Sequence, residues 1–158
     1  MSRKCPAGLI GCALAVAVGL ALNSSALAAL GGDVGSVAAD RAAFAAQLRS
    51  TAMLQYDVHQ IDSGTLTVRE YVTRAGQVFA VSWDGPVPPD MHQLLGEYFG
   101  RFYQAARVAH QVNPGMHRQF SSVESDLVIQ TSGHLRSFHG VAYLPQLVPS
   151  GVSLSQLQ

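Results

Sequence analysis

An uncharged apolar run dominates the start of the chain. It extends from Ala7 to Leu22, follows the basic residues Arg3 and Lys4, and ends shortly before the small-x-small sequence Ala26-Leu27-Ala28. This is the pattern of a secretory signal peptide with its cleavage site. The run, about 16 residues, is also short against the roughly 20 that a membrane-spanning helix needs. The pattern therefore predicts a cleaved signal peptide over residues 1–28.

Two other interpretations of this segment are weaker. An uncleaved membrane anchor would need a longer run with fewer Ala and Gly residues, because these insert weakly. The sequence Leu9-Ile10-Gly11-Cys12 resembles a lipoprotein box, but the apolar run continues past Cys12, where a lipoprotein should become polar. We therefore expect one mature domain over residues 29–158. It would be exported to the periplasm or secreted, with no stable membrane span after processing.

The spacing of apolar residues changes after the leader. From Ser36 to Arg49 they recur at helical intervals, which predicts a first helix. The segments Tyr56–Ile61, Thr65–Thr73 and Gln77–Trp83 are instead rich in β-branched and aromatic residues. Short glycine-containing turns separate them, as in β-hairpins. These segments predict a three-stranded antiparallel meander.

A second helix is predicted from Asp90 to about Gln111. Asp90 and Gln93 have the spacing of a capping box. The apolar positions of this segment form one stripe of an amphipathic helix. They are Leu94, Leu95, Tyr98, Phe102, Ala106 and Ala109.

A second hairpin is predicted after this helix. Its strands would cover about Asp126–Thr131 and His134–Leu144, with the turn at Ser132-Gly133 and a bulge at Gly140. The resulting order is α-β-β-β-α-β-β. This order indicates an α+β domain with an antiparallel sheet and helices packed on one face.

Several runs of the mature chain resemble a family of exported proteins of Gram-negative bacteria, catalogued as domain of unknown function 2844. The run Phe79-Ala80-Val81-Ser82-Trp83 is the most specific of them. The others are Val68-Arg69-Glu70-Tyr71, Gly76-Gln77-Val78, Asp84-Gly85-Pro86, Ser132 to Phe138 and Gly140 to Pro145. The resemblance extends from about Leu30 to Ser153. It implies one domain in the envelope or outside the cell, and it implies no activity.

Composition excludes several function classes for the mature chain. Both cysteines, Cys5 and Cys12, and the only lysine, Lys4, leave with the predicted leader. The mature domain would therefore have no disulfide, no thiolate nucleophile and no lysine for Schiff-base chemistry. Its eight arginines stand against ten acidic residues. This balance argues against nucleic acid as a partner, because nucleic-acid binding needs a basic face.

The six histidines are the first candidates for chemistry. They are His59, His92, His110, His117, His134 and His139. Two stand in Met-His pairs, and imidazole and thioether ligands suit copper. However, the predicted strand that holds both His134 and His139 would turn them to opposite faces, because they are five residues apart. We therefore predict no metal site and no other cofactor, and rank metal handling third among the functions.

Glu70 is the second candidate. Strict alternation places it among the buried residues of the second predicted strand, where a carboxylate must pair with an Arg or have a raised pKa. Arg136 and His134, on the second hairpin, could join it. The chain has no Gly-x-Ser-x-Gly elbow, phosphate loop or His-Glu-x-x-His pair. A hydrolase that uses Glu70, Arg136 and a histidine such as His134 is therefore the alternative function.

Aromatic residues provide the leading hypothesis. Most of them should form the core between sheet and helix, but the second helix carries more rings than one stripe can bury. Trp83, Phe99 and Tyr103 are therefore candidate binding residues around the loop from Trp83 to Pro89. Together with the missing motifs, this favours a non-enzymatic envelope protein that binds a small apolar ligand or another envelope protein.

Overall fold

A computed structural model describes residues 30–35, 37, 46–113 and 119–157. The strands and helices are β1 Gln47–Ala52, β2 Tyr56–Asp62, β3 Thr67–Thr73, β4 Val78–Gly85, α1 Met91–Leu95, α2 Phe99–Val112, β5 Gln119–Val123, β6 Val128–His134 and β7 Ser137–Tyr143. One turn of 3₁₀ helix, Gly96–Tyr98, joins the two helices, and two more, Pro145–Leu147 and Leu154–Gln156, follow the last strand. The predicted signal peptide lies outside the described residues.

The seven strands form one antiparallel sheet in the order β1-β2-β3-β4-β7-β6-β5. The first four strands are a meander whose three inner members match the predicted one. The last three strands form a second meander, in which β5 lies at the edge of the sheet and β7 lies next to β4. The pairing of β7 with β4 joins the two meanders into one sheet. This pairing joins residues more than fifty positions apart, such as Ala80 with Tyr143. The α+β class is confirmed, whereas the predicted order of elements is wrong.

The sheet has a helix face that contains the main hydrophobic core. Alternate residues of each strand point to this face, and they pack with Leu94 and Leu95 of α1, both of which are completely buried. Tyr98, Phe99 and Phe102 cover the edge of this core and are partly buried. The helices therefore pack on one face, as predicted.

The opposite face divides into two parts along the strands. At one end, Tyr56, Tyr71, Phe79 and Ala80 form a second apolar cluster, which the C-terminal segment covers with Leu157. Phe79 joins this cluster because of a bulge, since Tyr71 pairs with Ala80 whereas Val72 pairs with Val78. At the other end, the same face carries polar side chains, and the C-terminal segment does not reach them.

Three predictions about strands are corrected by the pairing. Residues 47–49 belong to β1 and not to a helix, because they pair with residues 60–62 of β2. Most of the rest of the predicted first helix lies outside the described residues. The strand β5 was not predicted. The second hairpin turns at Leu135-Arg136 and not at Ser132-Gly133, since both of the latter pair with β7.

Glycine explains two further differences. The predicted second helix is capped by Asp90 Oδ1, which accepts hydrogen bonds from the backbone N–H groups of His92 at 2.9 Å and Gln93 at 3.2 Å. It breaks at Gly96, whose φ is 52° and ψ −122°, outside the helical range. Gly140 is not a bulge, because its pairing with Trp83 and Thr131 is regular.

Arg101 fixes α2 to the loop between β5 and β6. Its guanidinium donates two hydrogen bonds of 2.8 Å to the carboxylate of Asp126 and a further one to Glu124. These hydrogen bonds lower the pKa of Asp126 below its ordinary value. The fork geometry of the guanidinium sets the direction of the helix, although exposed pairs of this kind add little stability.

Candidate functional site

The polar end of the sheet forms a concave site, which we call the polar groove. Two rows of side chains that point to this face cross the strands β3, β4, β7, β6 and β5 and line it. One row is Arg69, Ser82, Val141, Gln130 and Ser121, and the other is Thr67, Asp84, His139, Ser132 and Gln119. The row between them, Trp83, Gly140, Thr131 and Phe120, also borders the groove but belongs to the helix face. Nine of the ten side chains in the two rows that point to the groove are polar. Two neighbouring rows of this composition make a continuous hydrogen-bonding surface.

The groove has the size of a ligand site. Its volume is about 620 Å³, within the range typical of small-molecule sites. The next row along the strands on this face consists of uncharged aromatic and aliphatic residues. They are Tyr71, Ala80, Tyr143, Val128 and Val123. The change from polar to apolar rows sets the limit of the groove, because the C-terminal segment begins to cover the sheet at that point.

The charges of the groove are mixed. Arg69 on β3 provides a guanidinium, and Asp84 on β4 provides a carboxylate one cross-strand pair away, because Asp84 pairs with Thr67. His139 lies opposite Asp84 on β7. Serine hydroxyls and glutamine amides supply both donors and acceptors around them. A ligand in the groove would therefore meet groups of both signs and many neutral hydrogen-bonding groups.

Ser82 connects the groove to the covered apolar cluster. Its hydroxyl lies 3.3 Å from the hydroxyl of Tyr71, and both residues are buried. Burial raises the pKa of Tyr71, so that its hydroxyl keeps its proton over the physiological range. The floor of the groove is thus a neutral hydrogen-bonded pair in a fixed position.

Glu70 does not face the groove. It is fully buried (0% exposed) on the helix face, between His59 of β2 and Val81 of β4 in the same cross-strand row. Ser50 of β1 precedes His59 in this row, and its Oγ lies 2.8 Å from His59 Nδ1. The row therefore places a serine, a histidine and a carboxylate on neighbouring strands, but Ser50 is exposed at the sheet edge and none of the three lines the groove.

The structure does not bring Glu70 together with Arg136 and His134. The latter two lie at the tip of the β6–β7 hairpin, where Arg136 adopts a φ of 67° in the turn. Glu70 is level with Ala142, through Val81, and Ala142 is six residues along β7 from Arg136. This spacing corresponds to about 20 Å along the strand. The three residues proposed for a hydrolase therefore do not converge on one site, because Glu70 is remote from the other two.

The three aromatic candidates also have different environments. Trp83 is only 3% exposed and packs in the helix-face core, whereas Tyr103 is 51% exposed. Phe99 lies between them in exposure, and its ring stacks on that of Tyr103 with centroids 6.1 Å apart. Of the three, Tyr103 alone presents a largely exposed ring. Farther along α2, Val108 and Val112 are also exposed.

The histidines in the described part of the chain are dispersed. His134 and His139 lie on different strands, β6 and β7, and on the same face, which corrects the prediction that one strand turns them apart. His139 lines the groove, His59 lies near the sheet edge, and His92 and His110 are on the helices. Within the described ranges, no three His, Cys, Asp or Glu residues are grouped closely enough to hold a metal ion.

The sequence contains a partial signal for the groove. In β3 and β4 the polar residues Thr67, Arg69, Ser82 and Asp84 alternate with apolar ones, which indicates a strand with one polar face. In β7 His139 stands between Phe138 and Gly140, whereas in β6 the polar Thr131 separates Gln130 from Ser132, so that the alternation is weaker there. The alternation alone does not show that the two polar faces join, since this depends on the pairing of β4 with β7.

Comparison with known proteins places the chain in a family but not in a functional class. The family model described as "Protein of unknown function (DUF2844)" matches residues 26–157, which is most of the chain. No curated protein and no solved structure matches the chain. No helix in the part of the chain that the structure describes is long and apolar enough to cross a membrane.

Proposed function

The chain belongs to the DUF2844 family, and we propose that it is an exported binding protein that holds a small polar ligand in the polar groove. The observation that carries this proposal is the polarity of the two cross-strand rows that point into the groove, in which nine of ten side chains are polar, over a volume of about 620 Å³. Antiparallel sheets often have one solvated face. A polar face that is also concave and of this size indicates a binding site, because it can surround a ligand with hydrogen-bonding groups.

The composition of the groove favours a hydroxylated ligand that is neutral or zwitterionic. Arg69 and Asp84 oppose each other in charge, so that an ion of either sign would meet one like charge. The neutral hydroxyl and amide groups both donate and accept, as the hydroxyls of a polyol or saccharide do. A ligand that leaves these groups unpaired would bind poorly, because buried polar groups without partners cost free energy.

The role is proposed as binding rather than catalysis. A nucleophile must lie within hydrogen-bonding reach of its base. Among the described residues, the serine that contacts a histidine ring is Ser50, which lies outside the groove. The groove residues therefore support recognition of a ligand more directly than they support a reaction.

A groove-filling substitution tests the proposal. We expect Ser121→Tyr to occupy the groove with a ring and to prevent ligand binding. The matched control is Ser137→Tyr, because Ser137 is an exposed strand residue on the same face that does not line the groove. The measurement is the melting temperature of both variants and the parent protein with neutral saccharides, amino acids and dicarboxylates.

A ligand at 100-fold excess over its dissociation constant should stabilise the parent protein by about 2.7 kcal/mol. We expect a saccharide or amino acid to raise the melting temperature of the parent and of Ser137→Tyr, but not of Ser121→Tyr. Equal shifts in the two variants would place the ligand elsewhere. A panel in which no class binds would contradict the polar-ligand proposal itself.

Export is the second part of the proposal and has its own test. We expect the protein recovered from the periplasm or medium to begin at Ala29 or within a residue or two of it, because Ala26-Leu27-Ala28 fits the signal peptidase site. Intact-mass measurement gives the mature terminus directly. A mass that includes Cys12 with an attached lipid would instead identify a lipoprotein.

A further inference from the structure

A second cavity lies on the helix face of the sheet, on the opposite side from the groove. Aromatic and apolar side chains from six parts of the fold form its walls, and we call it the aromatic crevice. They are Trp83 of β4, Phe120 of β5, Phe138 of β7, Met91 of α1, Phe102 of α2 and Pro88 of the loop before α1. The rings of Phe102 and Phe120 meet edge to face, with centroids 5.6 Å apart.

Two glycines make room for the rings at the floor of the crevice. A Cβ atom at Gly140 would lie 2.3 Å from Cζ2 of Trp83, and one at Gly133 would lie 2.6 Å from Cδ1 of Phe138. Both distances are far below van der Waals contact, so the rings lie directly against the backbone of the neighbouring strand. Because the indole and the phenyl ring lie low on the sheet, the space above them stays open between sheet and helices.

The volume of the crevice fits one aromatic ring. It is about 200 Å³, below the usual range for drug-sized ligands. An engineered apolar cavity of roughly 150 Å³ in another protein stays dry and binds benzene. A cavity of 200 Å³ therefore has room for a ring with one small substituent and excludes larger ligands.

The polarity of the crevice limits the ligand further. Its lining contains no carboxylate and no guanidinium, and the polar residues Gln119, Ser132 and His139 that border it belong to the cross-strand row whose side chains point to the groove face. A charged ligand would therefore lose its hydration without an ionic partner on the crevice side. The row Trp83, Gly140, Thr131 and Phe120 places the side chain of Thr131 on the crevice side of the sheet. Its hydroxyl can donate or accept one hydrogen bond.

From these features we propose that the aromatic crevice is a binding site for an uncharged ligand with a single aromatic ring and one hydroxyl, a simple phenol. The ring lies among Trp83, Phe102, Phe120 and Phe138, and its hydroxyl pairs with that of Thr131. The crevice and the polar groove are formed by the same strand segments and share six lining residues, Trp83, Gln119, Phe120, Thr131, Ser132 and His139. The side chains that point into the two sites come from alternate positions of these strands and lie on opposite faces of the sheet.

The single tryptophan of the chain makes the test direct. Trp83 lies in the crevice and is the only Trp, so a ligand there should change its fluorescence. The probes are phenol, toluene and benzoate, titrated into the mature protein with calorimetry as a second measurement. We expect saturable binding of phenol, weaker binding of toluene, and no binding of benzoate, because its charge would be desolvated.

Substitutions at Thr131 distinguish this site from general binding of aromatic molecules. Thr131→Val keeps the shape and removes the hydroxyl, so we expect phenol to bind roughly three- to tenfold more weakly and toluene to bind as before. Thr131→Phe should fill the crevice and abolish binding of both. Thr51→Val, at an exposed position of β1, is the matched control and should leave both affinities unchanged.

Three results would overturn the proposal. They are a linear, unsaturable response to phenol, equal phenol affinity in Thr131→Val and the parent protein, and binding of benzoate as tight as that of phenol. If Thr131→Phe does not fold, Thr131→Val decides alone, because the substitution is nearly isosteric and suits a strand. The groove variant Ser121→Tyr should bind phenol normally, so the outcomes for the two sites are separate.

Discussion

Replacing Gly140 with alanine is expected to destabilise the folded protein by about 2–3 kcal/mol, because a methyl group has no room at this position. The new Cβ would lie 2.3 Å from Cζ2 of Trp83 and 2.7 Å from the backbone oxygen of Gln130. The indole would have to leave its packed position and move away from the sheet toward the crevice, and the backbone oxygen of Gln130 belongs to the β6–β7 ladder. Chemical denaturation followed by Trp83 fluorescence measures the loss and also reports any shift of the ring.

Gly100→Ala is the matched control for this prediction. Gly100 lies in α2, and a Cβ atom there would meet nothing within 4 Å. The same substitution should therefore stabilise the protein by about 0.5–1 kcal/mol, because alanine restricts the unfolded chain and favours a helix. Opposite signs at the two glycines would confirm that the effect at Gly140 is steric. If Gly140→Ala were as stable as the parent protein, the indole could not lie where the structure places it.

Gly140 also illustrates why some of the fold could not be predicted. A glycine inside a strand pattern suggests a bulge or a close approach of another group, and the sequence does not distinguish the two. The cause is Trp83, which lies 57 positions earlier and becomes a neighbour only when β4 pairs with β7. The local part of the pattern, the strand itself, was predicted correctly.

The same distinction explains the errors at β1 and β5. Gln47 to Arg49 continue an alanine-rich segment of high helix propensity, but pairing with β2 overrides that propensity. The strand β5 is five residues long and contains two serines and a glutamine, so it has little intrinsic strand signal. By contrast, the inner strands of the meander have alternating patterns and glycine turns. These signals are local, so the strands could be predicted from the sequence alone.

The same contrast between local patterns and long-range strand pairing applies to the candidate sites. The face on which Glu70 lies could be predicted, because alternation within a single strand determines it, whereas its burial depends on the pairing of β3 with both neighbouring strands. Neither the groove nor the crevice could be predicted, because each combines residues from at least four elements. Trp83 was identified as a candidate from its position before a proline-rich loop, whereas the glycines and Thr131 that complete the crevice acquire their role only through the register of β6 and β7.

The two faces of the polar end of the sheet have different chemistry for a physical reason. Each strand contributes alternate residues to the two faces, so a strand such as β4 can present Trp83 to the core and Asp84 to the groove. The covered end of the sheet has buried apolar residues on both faces. The candidate sites lie at the other end, where the sheet is supported by the covered end and one face remains open.

Phe79→Ala is expected to give the largest loss of stability, about 3–5 kcal/mol, which corresponds to a fall in melting temperature of roughly 10 °C or more. Phe79 is completely buried. Its ring packs edge to face on Tyr56 with centroids 5.7 Å apart, and on Tyr71 at 6.2 Å. Because the bulge turns Phe79 toward the covered cluster, its removal leaves a cavity that the surrounding strands cannot close.

The location of this loss can be measured as well as its size. Leu157 closes the same cluster from the C-terminal segment and is completely buried. The cavity should therefore weaken the attachment of residues 145–157, and hydrogen exchange in this segment should accelerate more than in α1. Val123→Ala, at a strand residue that is 71% exposed, should change stability by less than about 0.5 kcal/mol. If Phe79→Ala affected the protein no more than Val123→Ala does, then Phe79 would not be part of a packed cluster, and the bulge at β4 would be misplaced.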